Sequence, residues 1–377
     1  MKKSKTLLLI VALLLISHLL PYVFSQYYSQ SYQLLNEPDG STHYSINITV
    51  QQSLYDYYVE KTHTLYSDTD FAKFVTPYAL QPIANSLATI YADDEDFTNG
   101  VLMIVHQIPY EATGPVKYPV ETIVENRGDC DLFSYIAASI IKAHGMDVVL
   151  LYYETQAHMN IGVSLSHPPN DAREQAYYVT YNNIHYYVAE ATGGDWQNGW
   201  RVGECPSDLK NAPVQVITLE NSESWAPGQV SASYKTLSSS TLSLALSTGY
   251  LIQGGTVTLS GQLSPSLQNT TITIYIKVNT SPWKALDTVT TNNNGFFSYI
   301  WNADTAGLCY VRASWSGNDT YAGADSTIQT ITILSTFFIL LVTMTAILVG
   351  VGIAIFLASR QNQPQIPEPQ PPEVPMA

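Results

Sequence analysis

The stretch Gly128-Asp-Cys-Asp-Leu-Phe-Ser-Tyr-Ile-Ala-Ala-Ser-Ile-Ile-Lys-Ala-His-Gly145 carries the first firm reading of this chain. Leu132, Phe133, Ile136, Ile140 and Ala143 recur at three- and four-residue spacing, the apolar stripe of an amphipathic helix. Ala137, Ala138 and Ser139 are small enough for close packing, and Gly145 suits the position just past a helix end. Cys130 therefore falls in the first turn of a buried helix. Unpaired backbone N–H groups and the helix dipole favour an anion there, and the anion is the form in which a thiol is a nucleophile.

Working outward, residues 147–153 (Asp-Val-Val-Leu-Leu-Tyr-Tyr) read as a strand, and His158 opens a second one. Residues 176–181 and 184–190 read as a hairpin about Asn182-Asn183, with Glu190 closing it. A thiol at a helix start, a histidine opening one strand and a carboxylate ending another is the nucleophile–base–orienter set of thiol acyl transfer. Cys130 is the expected nucleophile, His158 the proton shuttle and Glu190 the residue that holds the imidazole. The backbone N–H of Cys130 is an expected oxyanion donor, and upstream either Gln107 or Tyr110 supplies a side-chain donor. In Gly193-Gly-Asp-Trp-Gln-Asn-Gly-Trp200, Trp196 and Trp200 read either as a substrate-flanking wall or as a loop pinned by aromatic packing.

The ordered phrases Pro119-Val-Glu-Thr122, Gly128-Asp-Cys130, Ala143-His-Gly145, His158 and Glu190-Ala-Thr192 resemble the transglutaminase-like superfamily of papain-fold cysteine enzymes. The resemblance covers roughly residues 98–200. It implies an α+β, papain-like core with Cys130 as nucleophile, His158 as base and Glu190 as third member, and no cofactor. Glu190 stands where the family more often has Asp, and Met159-Asn160 where a Trp often follows the histidine.

A metal is not expected. Cys130, His144 and His158 lack a fourth ligand, His144, His167 and His185 lack ligand spacing, and three cysteines are too few for a zinc module. Asp93-Asp-Glu-Asp96 lacks the glycine and terminal glutamate of a calcium loop and reads as an acidic helix N-cap. Residues 71–91 and 96–107 read as helices, so 27–97 is expected to be an N-terminal helical extension and 98–215 the transglutaminase-like domain. Cys205 and Cys309 are expected either to pair across two domains or to remain independent thiols.

Alternation at Ile272, Ile274, Ile276 and Val278, and the Asn292-Asn-Asn-Gly295 turn into residues 296–301, predict short strands across 241–330. Gly255-Thr-Val-Thr-Leu-Ser-Gly261, Asn294-Gly-Phe-Phe-Ser-Tyr299 and Ala313-Ser-Trp-Ser-Gly-Asn318 resemble the Ig-like repeats of prokaryotic surface proteins, which implies a β-sandwich spacer. Residues 216–240 read as a linker.

Only 12% of the 377 residues are charged, against about 25% in a typical soluble domain. Two apolar runs account for much of the deficit. Lys2, Lys3 and Lys5 precede the first, so 1–25 reads as an export signal or an uncleaved anchor. Residues 334–358 read as a transmembrane helix followed by Arg360, and 361–377 as a Pro-rich disordered cytoplasmic tail. The sequons at Asn47, Asn269, Asn279 and Asn318 all fall between the two runs. A net charge of −15 argues against nucleic acid. The expected partner is a peptide or protein substrate, or a cell-surface polymer. The sequence thus points to a membrane-anchored extracellular acyl-transfer enzyme. Its alternative is a catalytically inactive, peptide- or wall-binding adhesion protein on an Ig-like stalk.

Overall fold

The computed structural model describes residues 27–35, 43–112, 114–235 and 237–361. The expected export signal at 1–25 and the tail beyond 361 lie outside them. The chain is a mixed α and β protein with one long apolar helix at its C-terminal end.

Contrary to the helical expectation for 27–97, the described chain opens with β1 (Tyr27–Leu35) paired antiparallel along its length with β2 (His43–Gln51). Tyr32 and Leu34 on one strand, and Ile46, Ile48 and Val50 on the other, are buried at alternate positions. That period of two outweighs the helical stretches that follow it. Then come α1 (Gln52–Val59), a 3₁₀ turn (Asp68–Phe74), α2 (Pro77–Ala88) and α3 (Asp94–Val105). The single helix expected over 71–91 is broken before Pro77. Pro77 sits at the first position of α2, where its missing N–H costs no hydrogen bond. Asp93 caps α3 by accepting the Glu95 N–H at 2.8 Å, as an acidic cap should.

After α4 (Pro119–Glu125), α5 (Cys130–Ala143) is the helix read from the opening stretch. It is buried from Leu132 to Ile141 and packs between α2, α3 and a five-stranded sheet. The strands are β3 (Val148–Tyr153), β4 (His158–Val163), β5 (Tyr178–Tyr181), β6 (Ile184–Ala189) and β7 (Gln215–Ile217), in the order β5-β6-β4-β3-β7. Every pairing is antiparallel. The expected linker is no free tether. β7 closes the sheet, and β8 (Ser231–Ser233) joins β2.

The second unit is a two-sheet sandwich. One sheet holds β9 (Thr241–Leu242), β10 (Ala245–Leu246), β12 (Thr256–Ser264) and β15 (Phe296–Asn302). The other holds β11 (Tyr250–Ile252), β13 (Thr271–Val278), β14 (Lys284–Thr290), β16 (Gly307–Gly317), β17 (Ala322–Asp325) and β18 (Gln329–Leu334). Val257, Leu259 and Trp301 from the first meet Ile274, Val311 and Trp315 from the second in one core.

Polar side chains lock the two units together. Asp325 accepts the Ser53 N–H at the start of α1 at 2.7 Å. The Ser53 hydroxyl lies 2.7 Å from both Asp325 and Ser314. Arg312, 2% exposed, donates to Asp56 at 2.9 Å and stacks 4.3 Å over the Trp283 ring. Glu60 accepts from Lys277 and from the Trp283 N–H.

All three cysteines are free: Cys205 and Cys309 are buried in separate cores, so neither bridges the units. Ser335 alone separates β18 from α6 (Thr336–Gln361), so the helix starts two residues later than the expected 334. Thr336–Ala358, with mean hydropathy 2.7, is the one helix among the described residues long and apolar enough to cross a membrane.

Candidate active site

The backbone at Asp129 is extended, and α5 begins at Cys130. Gly128 must be small. A Cβ there would sit 3.0–3.1 Å from Phe133, Leu132 and Thr122, which ties the Pro119-to-Thr122 phrase physically to the turn before the cysteine. Glu121 in that phrase is structural: it accepts the Tyr118 N–H at 3.0 Å and bonds His63 at 2.7 Å.

His158 starts β4, just after Ala157 turns the chain in a left-handed conformation. The Ser134 hydroxyl lies 2.7 Å from the Cys130 carbonyl and 3.1 Å from the Met159 carbonyl. One side chain thus pins the start of β4 against the first turn of α5. Glu190 follows β6, whose register sets Ala189 opposite Ile161. That pairing brings the Glu190 carboxylate to the same face of β4 as His158 and Asn160, two residues apart on one strand.

Glu190 is fully buried. Its Oε2 accepts from His158 Nε2 at 2.9 Å and Asn160 Nδ2 at 3.2 Å, and its Oε1 from the Thr192 N–H at 2.8 Å and the Thr192 hydroxyl. Burial alone would raise its pKa. The bonds and charge of His158, with those of Thr192, more than offset burial and hold it below the ordinary carboxylate range. At His158 burial pulls the pKa down, but hydrogen bonds to Cys130 and Glu190 and their charges raise it to about 10. With Nε2 taken by Glu190, Nδ1 is the nitrogen left for Cys130. His158 thus lies between the half-buried Cys130 and the buried Glu190 carboxylate and interacts with both.

The other anticipated side chains divide. Tyr110 pairs in a short bridge with Gly128, and the next N–H donates to the Gly128 carbonyl at 2.7 Å. Its ring packs edge-on to Phe133, it is 62% exposed, and it is near enough to Cys130 to feel its charge. Gln107 is committed elsewhere. Its amide holds Gln33 of β1, accepting the N–H at 2.8 Å and donating to the carbonyl at 2.9 Å, which leaves Tyr110 as the side-chain oxyanion candidate.

Trp196 and Trp200 line a cleft with Leu35, Met103 and His106 that includes none of Cys130, His158 or Glu190. His106 is buried, and burial keeps its pKa below the usual histidine range. Its Nε2 lies 2.9 Å from the Glu190 carbonyl, and a Cβ on Gly199 would come within 2.5 Å of its Nδ1. The glycines let the loop wrap His106, so the geometry matches a loop pinned by packing.

Sequence reading missed Asn160, Thr192 and Ser134 as supports. The signal for Asn160 was its spacing of two from His158 on a strand. Among the described residues, Asp93, Glu95 and His167 form the one acidic–histidine group with donor atoms within 4.8 Å. Those atoms are engaged: Asp93 bonds His167 at 2.9 Å, and Glu95 accepts the Asn170 and Asp171 N–H groups. They tie the 166–171 loop to α3.

Asp131 follows Cys130 in the helix. Burial first, then the hydrogen bond and charge of Asp129, push its pKa up to about 8. A carboxyl raised in the fold contributes stability that is complete below its ordinary value and lost as pH rises through the folded value. His158, also raised, loses its contribution as pH rises through about 10. The melting temperature should therefore fall as pH rises toward about 8, and Asp131→Asn should flatten that slope. Differential scanning fluorimetry checks this, and equal slopes in both proteins would contradict it.

No protein-family model matches the chain, and no curated protein matches it.

Proposed function

We propose that this chain is a membrane-anchored thiol acyl-transfer enzyme of the transglutaminase-like, papain-fold type, displayed outside the cell on the C-terminal helix beside an Ig-like sandwich. The observation that carries the reading is His158 interacting with both Cys130 and a buried, four-fold hydrogen-bonded Glu190. A buried carboxylate is costly unless it is paired, and here its partners are the imidazole and the groups that orient it.

In the proposed reaction the Cys130 thiol gives its proton to His158 and the sulfur attacks the carbonyl carbon of an amide or ester in a peptide, protein or surface polymer. The Cys130 N–H, unpaired at the helix start, and the Tyr110 hydroxyl donate to the oxyanion. His158 passes its proton to the leaving amine or alcohol as the C–N or C–O bond breaks, leaving a thioester. The acceptor then attacks that carbonyl and gives its proton to His158, and the thiolate leaves. Water as acceptor yields hydrolysis or deamidation, and an amine yields crosslinking. Glu190 holds Nε2 throughout and stabilises the imidazolium.

The test uses the full chain in detergent with a small activated ester, acid-quenched and read by intact mass. The expected result is one acyl adduct on Cys130, released by hydroxylamine and missing from Cys130→Ser. No adduct on wild type, or an equal adduct on Cys130→Ser, overturns the reading.

A further inference from the structure

We propose that the end of the sandwich bearing Tyr250, Ile252 and the 303–306 turn rests in the headgroup layer of the bilayer, so that the folded units lie against the membrane surface and not on a stalk. The inference rests on the reading of α6 as a membrane anchor and concerns a surface outside the thiol site.

Its basis is the covalent junction and the strand register. Thr336–Ala358 is 23 residues. At about 1.5 Å per residue it is about 34 Å long, against a hydrocarbon core of about 30 Å, so its ends emerge at the two interfaces. Phe337 and Phe338 stand at its first turn. Ser335 lets the last residue of β18 lie at most two Cα steps, about 7 Å, from the first residue of that turn. The end of β18 is therefore confined to the headgroup layer or its outer edge, the layer being roughly 5–7 Å deep on each side.

Neighbouring strands reach that level or lie within two residues, about 7 Å, of it. β11 runs parallel to β18 with Ile252 opposite Leu334 and Tyr250 opposite Thr332, and Leu308 of β16 also lies opposite Thr332. The Gln253 N–H donates to the Leu334 carbonyl at 2.9 Å, and the Gln253 side chain donates to the Asp304 carbonyl at 2.7 Å. The 303–306 turn is thus drawn to the same edge. The side chains there are apolar and exposed: Tyr250 is 73%, Ile252 48% and Leu308 40% exposed. In the interface an amphipathic tyrosine and a short apolar rim are favoured.

Charge points the same way. In a chain of net charge −15, the turns at this end (253–255, 279–283 and 303–306) carry one charged residue, Asp304. With no basic residue in those turns, the contact is with the headgroup–acyl boundary itself and does not depend on anionic lipid. The first unit is held at this level too, since Glu60 at the end of α1 accepts the N–H of Trp283, next to the 279–283 turn.

The experiment places an NBD fluorophore on single cysteines in the full chain, in a Cys130→Ser background where Cys205 and Cys309 are buried. The chain is reconstituted into phosphatidylcholine vesicles. Positions are Ile252→Cys, Tyr250→Cys, Ile347→Cys within α6, and Asn294→Cys in the turn at the far end of β12. Labels at 252 and 250 should emit to the blue of the label at 294, lose quenching by aqueous iodide and gain quenching by headgroup-proximal spin-labelled lipid. If labels at 252 and 250 are quenched by iodide as fully as at 294, while 347 responds only to lipid, the surface contact is overturned and the anchor stands. If 347 is also open to iodide, the anchor reading and the contact fall together.

Discussion

His158→Ala is expected to slow reaction at Cys130 by about 10²–10⁴-fold, the range that a positioned proton-transfer group contributes. The imidazole is held on one side by a carboxylate that cannot move. Glu190 is tied by Asn160 and by two bonds from Thr192, and these survive the loss of His158. The variant should therefore keep the site's frame while losing the imidazole that would move a proton to or from the sulfur. Glu190→Gln keeps the shape but removes the charge that helps hold the imidazole cationic, and it should fall between wild type and His158→Ala. Rates of acyl-adduct formation measured by intact mass check both. A His158→Ala rate equal to that of wild type, in a protein with unchanged circular dichroism, would contradict the assignment.

Asp325→Ala should be the most damaging substitution away from the site, at about 3–5 kcal/mol, the cost of removing one partner from a buried charged network. Asp325 takes the N–H and lies against the hydroxyl of Ser53, across the boundary between the two units. It also offsets the charge of Arg312, whose guanidinium is buried over Trp283 and donates to Asp56. Without it, the first turn of α1 loses its acceptor and Arg312 keeps its burial with less compensation. Calorimetry on wild type should show the two units melting in one transition, and on Asp325→Ala a lower transition that splits in two. A single transition at the wild-type temperature would show that the interface carries no such coupling.

Much of the architecture was readable from local pattern. The α5 stripe, the alternation in β13 and the apolar run of α6 announce themselves because burial on one face imposes a period. The opening hairpin was not, because Tyr, Ser and Gln on the outer face of β1 blur the alternation that Tyr32, Leu34 and the β2 isoleucines carry. The supposed linker failed for a different reason. β7 and β8 are three-residue strands whose partners lie far away in sequence, and so short a segment has no period of its own to read.

The site divides the same way. Cys130, His158 and Glu190 were legible because each stands at the end of an element with a clear pattern. The choice between Gln107 and Tyr110 was not, since it turns on β1, which claims the Gln107 amide for its own backbone. Nor was the role of the tryptophan loop, which depends on the buried His106 beneath it. Asn160 and Ser134 were passed over because a lone polar residue in an apolar element carries no functional mark until its hydrogen bonds are seen.

The central claim meets its most direct test in the alkylation of Cys130 by a neutral thiol-directed electrophile, with the same thiol in the denatured chain as reference. The account predicts that Cys130 in the folded wild-type protein reacts much faster than the reference near neutral pH, and that this advantage disappears in His158→Ala. Folded-state labelling no faster than the reference, and indifferent to His158, would contradict it.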